Sequence, residues 1–506
     1  MMIFFREKAR VITWSIIIFF GATLFSTSFF LGGNSGASPE RQNTLASIQN
    51  APALIDGNPI DNYRFQNYYN QSMSQIDLDK MGGRLAPELM ELVLYNSAIE
   101  TIKDMILVDR AKAESISVSK QAFKASLSSA IIQSGLQSKK ALKERLKKSG
   151  FSYEAYTTFL NDQLILNQFI KARHDQVVVT DQDVDNRYIR VKVRHILLAD
   201  TGDTDNLELM AQNVYDQLST KAISFSDAVA RFSSDSQTIA SGGDMGWIGF
   251  GQVAAPIEEV IYELPVGTIS RPIKTGYGFH IVEVTDRDDS QMPTDIDYDT
   301  EKAAILDFKK RRVIAEMIQP YFVKSGYLKF QWPLIKAHHA KRSGDIETAL
   351  NAYQLLISTD AFSPVPHYLM AQLYLTNNDI SEAVSEIEKA TVKVDINPVQ
   401  SFPELYVLSG EIYSKNRDYA KANASYQRAY EGAKTDNLAV LNELKRVLSK
   451  GNTVALLTDV NDAIKEIDRQ KREAAAQKKL ELEASMVEGL EVEMSEGEFD
   501  GVSSPD

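Results

Sequence analysis

The chain has 506 residues, of which 44% are apolar and 24% charged, values typical of folded protein with about three domains. It contains no cysteine, which excludes disulfides, thiolate metal sites and a cysteine nucleophile. Residues 481–506 carry nine acidic side chains and no basic one, so only −4 of the net charge of −13 remains on the other 480 residues. A near-neutral body offers no basic surface for a phosphate backbone, and nucleic-acid binding is not expected.

The first predicted element is a transmembrane helix. Val11–Leu31 is a run of 21 residues without a charge, and a helix of that length crosses the ~30 Å core of a bilayer. Because Arg6, Lys8 and Arg10 precede it, the positive-inside rule keeps residues 1–10 in the cytoplasm. The alternative is a cleaved signal peptide, whose apolar core is usually shorter, about 7–15 residues. The sequence therefore predicts a single-pass protein of the inner membrane, with its bulk on the periplasmic side.

A helical domain is predicted for residues 50–187. Two stretches have the apolar spacing of one buried helix face, and they contain Ile99, Ile102 and Ile106 in the first and Leu160, Leu164 and Ile170 in the second. Thr180 is a predicted N-cap, with Asp183 three residues later in the acidic first turn.

Near residue 190 the pattern changes to that of a small α+β domain. His195 lies in an alternation of apolar and basic residues, as in a strand that enters a core. Helical segments, a glycine turn at residues 241–247 and a closing strand, His280–Val284, follow. Short strands that enclose helices within ~100 residues predict an α+β domain, and Asp286–Asp299 is a charged linker.

An internal repeat is predicted within residues 320–450. Ala349, Ala383 and Ala422 recur at spacings of 34 and 39 residues. Small residues at a 34-residue period resemble the tetratricopeptide repeat, of which about three are needed for a stable stack; generic antiparallel helices are the alternative. Residues 464–506 are expected to form a charged helix followed by a disordered acidic tail.

Two histidines are the strongest candidates for chemistry. The chain has six histidines and contains no HExxH, P-loop or GxSxG motif, so the signatures of zinc proteases, nucleotide hydrolases and serine hydrolases are lacking. His195 and His280 each lie within an apolar strand, one near each end of the α+β domain. Either one alone would be interpreted as a core histidine, but two that bracket one domain indicate a site.

Three blocks carry a specific resemblance, namely VKVRHILL (191–198), FSSDSQTIASGGDMGWIGFGQV (232–253) and ELPVGTISRPIKTGYGFHIVEV (263–284). They resemble a parvulin-type peptidyl-prolyl isomerase domain over residues 188–288. With IDGNPI (55–60) and the helix starts around residues 116 and 180, residues 1–290 resemble the SurA/PpiD/PrsA group of cell-envelope foldases.

The resemblance implies rotation about an X–Pro amide without a cofactor, a metal or a covalent step. It implies the catalytic residues His195, Asp235 and His280, with the two histidines hydrogen-bonded through Thr275. The implied substrate-binding residues are Met245, Val253, Ile257, Thr275 and Phe279. Relatives usually have Met and Phe at the positions of Val253 and Ile257, so the aromatic surface of the proline pocket is reduced and the activity is expected to be weak.

The sequence thus predicts a mostly helical, multidomain protein: a transmembrane helix, a SurA-like chaperone lobe, an α+β parvulin domain and an α-solenoid of tetratricopeptide repeats. The expected function is that of an isomerase and chaperone for unfolded or newly translocated polypeptides with X–Pro bonds. Two alternatives stay open. One is a holding chaperone whose parvulin lobe binds clients without turnover, and the other is an assembly hub whose repeat groove binds a protein partner.

Overall fold

The computed structural model describes residues 51–199, 204–324, 326–397, 402–450 and 454–496. Most of these residues are helical, and they include one small sheet domain and a series of paired helices. This confirms the mostly helical, multidomain fold predicted from the sequence. The predicted anchor, Val11–Leu31, lies outside the described residues.

The localisation predicted from the sequence, at the inner membrane, is contradicted. None of the helices in the described ranges is both long enough and apolar enough to span a bilayer. The longest of them, at residues 454–496, is rich in charged side chains, which a bilayer core would not accommodate.

The N-terminal part is a short hairpin followed by helices. Its elements are β1 (Ala53–Ile55), β2 (Asn58–Pro59), α1 (Asn62–Ser74), α2 (Pro87–Ala113), α3 (Lys120–Gln133), α4 (Lys139–Lys148), α5 (Tyr153–Asp175) and α6 (Asp181–Asn186). Helix α6 begins at the predicted cap. The Asp183 amide donates to Thr180 Oγ1 at 3.3 Å and the Thr180 amide donates to the Asp183 carboxylate at 2.8 Å, which is a reciprocal capping box.

The predicted core of the N-terminal helices is present in part. Ile102, Ile106 and Leu160 are buried, at 0–3% exposure. Helices α2 and α5 are joined by a hydrogen bond from Gln163 Nε2 to Asp104 Oδ2 at 2.7 Å. By contrast Ile99, Leu164 and Ile170 are only half-buried. In α5 the buried apolar side chains are instead Leu160, Ile165, Leu166 and Phe169.

Residues 190–288 form an antiparallel sheet with helices on both faces. The elements are β3 (Arg190–Ala199), α7 (Thr204–Ser219), α8 (Phe225–Phe232), β4 (Asp244–Ile248), α9 (Ala255–Glu263), β5 (Ile273–Thr275) and β6 (Gly278–Asp288). The strand order is β4-β3-β6-β5, so the two long strands β3 and β6 lie in the centre. This confirms the small α+β domain predicted from the sequence.

A long helix, α10 (Tyr298–Val323), follows the sheet domain. The charged linker predicted at Asp286–Asp299 is shorter than expected, because β6 continues to Asp288 and α10 begins at Tyr298. The Asp297 carboxylate caps α10 by accepting a hydrogen bond from the Thr300 amide at 3.2 Å.

The C-terminal part is a series of helical hairpins. After β7 (Leu328–Phe330) come α11 (Pro333–Arg342), α12 (Ile346–Thr359), α13 (Val365–Thr376), α14 (Ile380–Ile396), α15 (Pro403–Lys415), α16 (Tyr419–Ala433), α17 (Leu438–Leu448) and α18 (Val454–Glu496). The recurring Ala349, Ala383 and Ala422 are all buried. A Cβ at Gly410 of α15 would lie 2.2 Å from Tyr426 Cε1 of α16. Small residues therefore lie where paired helices meet, as predicted.

The acidic segment after residue 480 was expected to be disordered. Helix α18 instead continues to Glu496, so most of this segment is helical. Residues 497–506 lie outside the described residues.

The described residues separate into two compact units. Unit 1 comprises residues 51–65 and 99–329, and unit 2 comprises residues 66–98 and 330–496. One division falls within α2, between Ala98 and Ile99. This grouping differs from the predicted domain of residues 50–187, because the first half of α2 belongs with the repeats.

Within unit 2, the first half of α2 packs against the repeats through a buried carboxylate. The Glu91 side chain is 0% exposed and accepts hydrogen bonds from the Tyr353 hydroxyl at 3.1 Å and the Lys341 ammonium at 2.8 Å. His338 Nδ1 lies 3.6 Å from the same carboxylate. One turn earlier, Glu88 accepts a hydrogen bond from the Tyr368 hydroxyl at 3.1 Å. Helix α2 thus contacts α11, α12 and α13 within unit 2.

Candidate active site

The two candidate histidines lie on the same face of the sheet. In the antiparallel pair β3–β6, His195 is opposite Val282 and Leu197 is opposite His280. Because side chains alternate along a strand, His195 and His280 are diagonal neighbours on one face. That face also carries Val282 and packs against α9.

The opposite face of the sheet is a separate apolar core. Phe279 lies there, at 4% exposure, in a cluster with Ile196, Leu198 and Ile281 that packs against α7 and α8. The prediction that Phe279 binds substrate is therefore corrected. Its neighbour His280 faces the site, and the period of two along a strand turns Phe279 away from it.

A hydrogen-bonded row of side chains crosses the shared face. The two histidine Nδ1 atoms are 3.4 Å apart and the rings are stacked at a centroid distance of 5.6 Å. Thr275 Oγ1 lies 2.9 Å from His280 Nε2, and Asp235 Oδ2 lies 2.8 Å from His195 Nε2. The rings therefore contact each other directly, and Thr275 supports the outer edge of His280 instead of linking the pair.

The Asp235 carboxylate is held in its charged form. Partial burial acts to raise its pKa, but hydrogen bonds from Thr238, His195 and the Gln237 amide outweigh burial and lower the pKa below its ordinary value. Thr238 Oγ1 donates to Asp235 Oδ2 at 2.6 Å. A charged carboxylate can only accept, so His195 Nε2 carries the proton and donates to it.

The His280 ring is neutral near pH 7. Burial, followed by the neighbouring His195 ring, lowers the pKa of His280 to about 4. A neutral imidazole has one nitrogen that donates and one that accepts, and the two nitrogens of His280 contact His195 Nδ1 at 3.4 Å and Thr275 Oγ1 at 2.9 Å. Both nitrogens of His280 therefore have a partner within the row.

The glycine turn before β4 fits closely against His195. The His195 amide donates to the Gly243 carbonyl at 2.8 Å. A Cβ at Gly243 would lie 2.4 Å from the His195 carbonyl oxygen, and the residue has φ +87°. Only glycine satisfies both conditions, which explains one glycine of the 241–247 motif.

A cleft of about 550 Å³ lies above the histidines. His195 and His280 form its floor, and Met245, Val253 and Ile257 lie along one side. Ile257 is also part of the core under α9, at 4% exposure. Asp235 and Thr275 are not among the described residues that line the cleft. Each of them contacts the outer edge of one histidine ring instead.

The other side of the cleft is formed by residues that sequence reasoning missed. They belong to α10, and they are Phe308, Arg311, Arg312, Ala315, Glu316 and Gln319. A sequence signal for them exists. Ile305, Phe308, Arg312 and Glu316 recur at intervals of three or four residues, the period of one helix face, but the segment's many basic residues favour a solvated linker.

A family model described as a PPIC-type PPIASE domain matches residues 189–286. This part of the chain is a PpiC-type isomerase domain. The predicted enzyme class, peptidyl-prolyl cis-trans isomerase, is thereby confirmed for the domain. Models of a SurA-like N-terminal domain and of a tetratricopeptide repeat match residues 1–170 and 403–433, which confirms both resemblances. The matched repeat corresponds to helices α15 and α16.

The chain is similar to several foldases. It is 28% identical over 157 residues to the foldase protein PrsA of Geobacillus sp. strain WCH70, across 29% of this chain and 54% of that protein, so it spans about half of that relative's length. It is 24% identical to the foldase protein PrsA of Caldanaerobacter subterraneus subsp. tengcongensis, across 61% of this chain and 95% of that protein. The crystal structure of a peptidylprolyl isomerase (PrsA) from Bacillus anthracis is 22% identical over 44% of this chain and 97% of that chain, with a TM-score of 0.22.

Proposed function

We propose that the protein is a peptidyl-prolyl cis-trans isomerase and chaperone that acts on unfolded polypeptides. The observation that carries the proposal is the hydrogen-bonded floor of His195 and His280 beneath a cleft with apolar side chains along its side. The described residues that line the cleft include no serine, threonine, cysteine or lysine, and isomerisation needs no nucleophile.

The chemistry is rotation about an amide with a barrier of ~18–20 kcal/mol. A planar amide is strongly polar, and the twisted transition state has lost much of that polarity. An apolar surface at Met245 and Val253, placed against the amide, therefore favours the less polar twisted form over the planar one. His195 and His280 are already hydrogen-bonded to fixed partners, so the floor does not reorganise as the amide turns.

In this proposal Asp235 and Thr275 are positioning residues. Each holds one histidine by its outer nitrogen, at 2.8 Å and 2.9 Å respectively. Loss of either contact would free a ring to rotate and would disturb the floor without removing it. His195 and His280 themselves are proposed to contact the substrate.

The chaperone part of the proposal is supported by relatives. Two of the similar proteins are named foldase protein PrsA, and another, from Legionella pneumophila, is named chaperone SurA. The proposed clients are unfolded or newly translocated chains with exposed X–Pro bonds. A protein partner at the repeats stays a prediction, and it would have to bind beside α2, which already contacts α11 and α13 within unit 2.

An isomerisation assay on the full chain tests the proposal. A short peptide with a single Ala–Pro bond should isomerise faster with the wild-type protein than alone, and His195→Ala and His280→Ala should each lower kcat/KM at least tenfold. His174→Ala is the matched control, because His174 lies on α5 and does not line the cleft, and it should leave the rate unchanged.

The same variants separate the isomerase from a holding chaperone. If the wild-type rate equals the uncatalysed rate while the protein still suppresses aggregation of an unfolded client, the catalytic proposal is wrong and the holding alternative is correct. If His195→Ala abolishes isomerisation and leaves aggregation suppression intact, the two activities use different surfaces.

A further inference from the structure

We propose that α10 is the second wall of the prolyl cleft and that Phe308 contacts the proline ring of the bound chain. The inference rests on the proposed function, since it assigns a specificity-determining residue to the same cleft. Three sets of contacts, all within unit 1, carry it.

The first set fixes α10 to the loop that carries Val253. Arg312 Nη2 donates to the Val253 carbonyl at 2.6 Å, and the Arg312 guanidinium also bonds the carboxylates of Glu258 and Glu316. The Arg312 and Glu258 side chains are nearly buried, at 11% and 8% exposure. Charge-assisted hydrogen bonds of a nearly buried guanidinium have a defined geometry, so this cluster attaches α10 to the loop at Val253 and to Glu258 of α9.

The same network closes the start of α9. Ala254, the N-cap of α9, offers no side-chain oxygen. Glu316 Oε1 from α10 instead accepts the hydrogen bond of the Ala255 amide at 2.7 Å. An amide that a helix leaves unpaired at its first turn is thus satisfied by α10, and the wall that holds Ile257 depends on α10 for a cap.

The second set places an aromatic ring over the cleft. The Phe308 ring lies 5.4 Å from the Phe250 ring, between centroids. A Cβ at Gly251 would lie 2.6 Å from Phe308 Cζ. The loop therefore approaches the ring as closely as a glycine allows, and Phe308 is held beside Val253 at the cleft.

The third set attaches α10 to the far side of the cleft. Gln319 Nε2 donates to the Tyr277 hydroxyl in the turn between β5 and β6. A Cβ at Gly276 in that turn would lie 2.7 Å from Pro320 Cγ. Helix α10 thus touches the loop on one side of the histidines and the turn on the other, and the cleft is enclosed between α10 and the sheet domain.

The chemistry of the two walls differs. Met245, Val253 and Ile257 are aliphatic, whereas Phe308 and Tyr277 are aromatic. Proline-containing segments bind preferentially to aromatic-lined grooves, because the preformed extended chain loses little entropy and the ring packs on an aromatic face. Phe308 accordingly supplies the aromatic contact for an X–Pro segment that lies between α10 and the histidines.

Turnover by variants of the full chain gives the first test. Phe308→Ala should lower kcat/KM for the Ala–Pro peptide about tenfold, and Phe308→Tyr should retain the rate within about threefold. Ala315→Trp, at an exposed position that lines the cleft, should raise KM. Ala304→Trp, at an exposed position of the same helix outside the cleft, should leave the kinetics unchanged. Unchanged kinetics in Phe308→Ala and Ala315→Trp would overturn the inference.

A footprinting test does not depend on turnover. Because the chain has no cysteine, Ala315→Cys introduces a single thiol at the cleft, and Ala304→Cys is its matched control. Saturating Ala–Pro peptide should slow alkylation of the first thiol at least fivefold and should leave the second unaffected. Protection without turnover would overturn the isomerase proposal and keep the second wall. Turnover without protection would keep the isomerase proposal and overturn the second wall. Absence of both turnover and protection would overturn both proposals.

Discussion

The contact between Glu91 and the repeats predicts that the first half of α2 is part of the folded unit 2. Replacing Glu91 with Ala removes a carboxylate that is 0% exposed and leaves the Tyr353 hydroxyl and the Lys341 ammonium without their acceptor. Breaking a buried ion pair on one side costs about 3–5 kcal/mol. The Lys341 side chain is 24% exposed and can recover part of its hydration, so we expect the low end, about 3 kcal/mol.

Hydrogen exchange is the appropriate assay, because a chain with two units does not unfold in one step. A loss of about 3 kcal/mol corresponds to amides in α11 and α12 that exchange roughly 100-fold faster. Glu91→Gln, which keeps the acceptor for Tyr353, should lose about half as much stability. The control is Glu100→Ala, on the same helix, whose carboxylate forms a surface pair with Lys103.

If the amides of α11 and α12 in the Glu91→Ala variant exchange within twofold of their rates in the wild type, the predicted role of Glu91 is wrong. In that case the first half of α2 would not be part of the folded repeat unit. Equal acceleration by Glu100→Ala would point to a general effect on α2 and would also contradict the assignment.

Three further predictions concern stability. Between about pH 6.5 and pH 4 the unfolded chain binds a proton at His280 and the folded chain does not, so unit 1 should lose up to ~1.4 kcal/mol per pH unit as the pH falls; His280→Gln should flatten this slope in acid unfolding curves, and an unchanged slope would contradict the buried neutral ring. Gly410→Ala should destabilise unit 2 by ~1–3 kcal/mol, although alanine normally favours a helix, because its Cβ meets Tyr426; adding Tyr426→Leu should restore the melting temperature, and no recovery would point to another cause. Ile257→Phe should overpack the core under α9 and destabilise unit 1 by ~1–3 kcal/mol, without a gain in kcat/KM. Faster turnover at unchanged stability would show that the pocket lacked an aromatic wall.

The sequence contains enough local information to predict the site floor. Alternation identifies the strands, and the pairing of β3 with β6, in a register that sets His195 opposite Val282, brings His195 and His280 to one face. The prediction that Phe279 binds substrate was wrong because a sequence motif does not show which face of a strand a residue lies on. Since neighbouring residues of a strand point to opposite faces, Phe279 cannot share the face of His280. The spacing of Phe308 and Arg312 in α10 fits one helix face, but the many charged residues of this segment favour a solvated linker over a wall of the site.

The composition of unit 2 could not be predicted in this way. Glu91 and Lys341 are 250 residues apart, and nothing in the local pattern around either residue names the other. An apolar helix face predicts that the face is buried, but it does not identify the segment that packs against it. The same limit applies to the second wall of the cleft, because the family resemblance ends near residue 288 and the helix begins after it.

The interrupted order of unit 2 has a consequence for the timing of synthesis. Residues 66–98 leave the ribosome before the 231 residues of 99–329, and their partners at residues 330–448 come last. At ~5–20 residues per second this delay is roughly 10–50 s. During that interval the buried face of Val93 and Tyr95 has no repeats to cover it. Nascent chains stalled before residue 330 should therefore be cleaved near residues 85–98 by a protease that spares the finished protein. The protein would thus pass through a stage of its own synthesis in which it needs protection from aggregation.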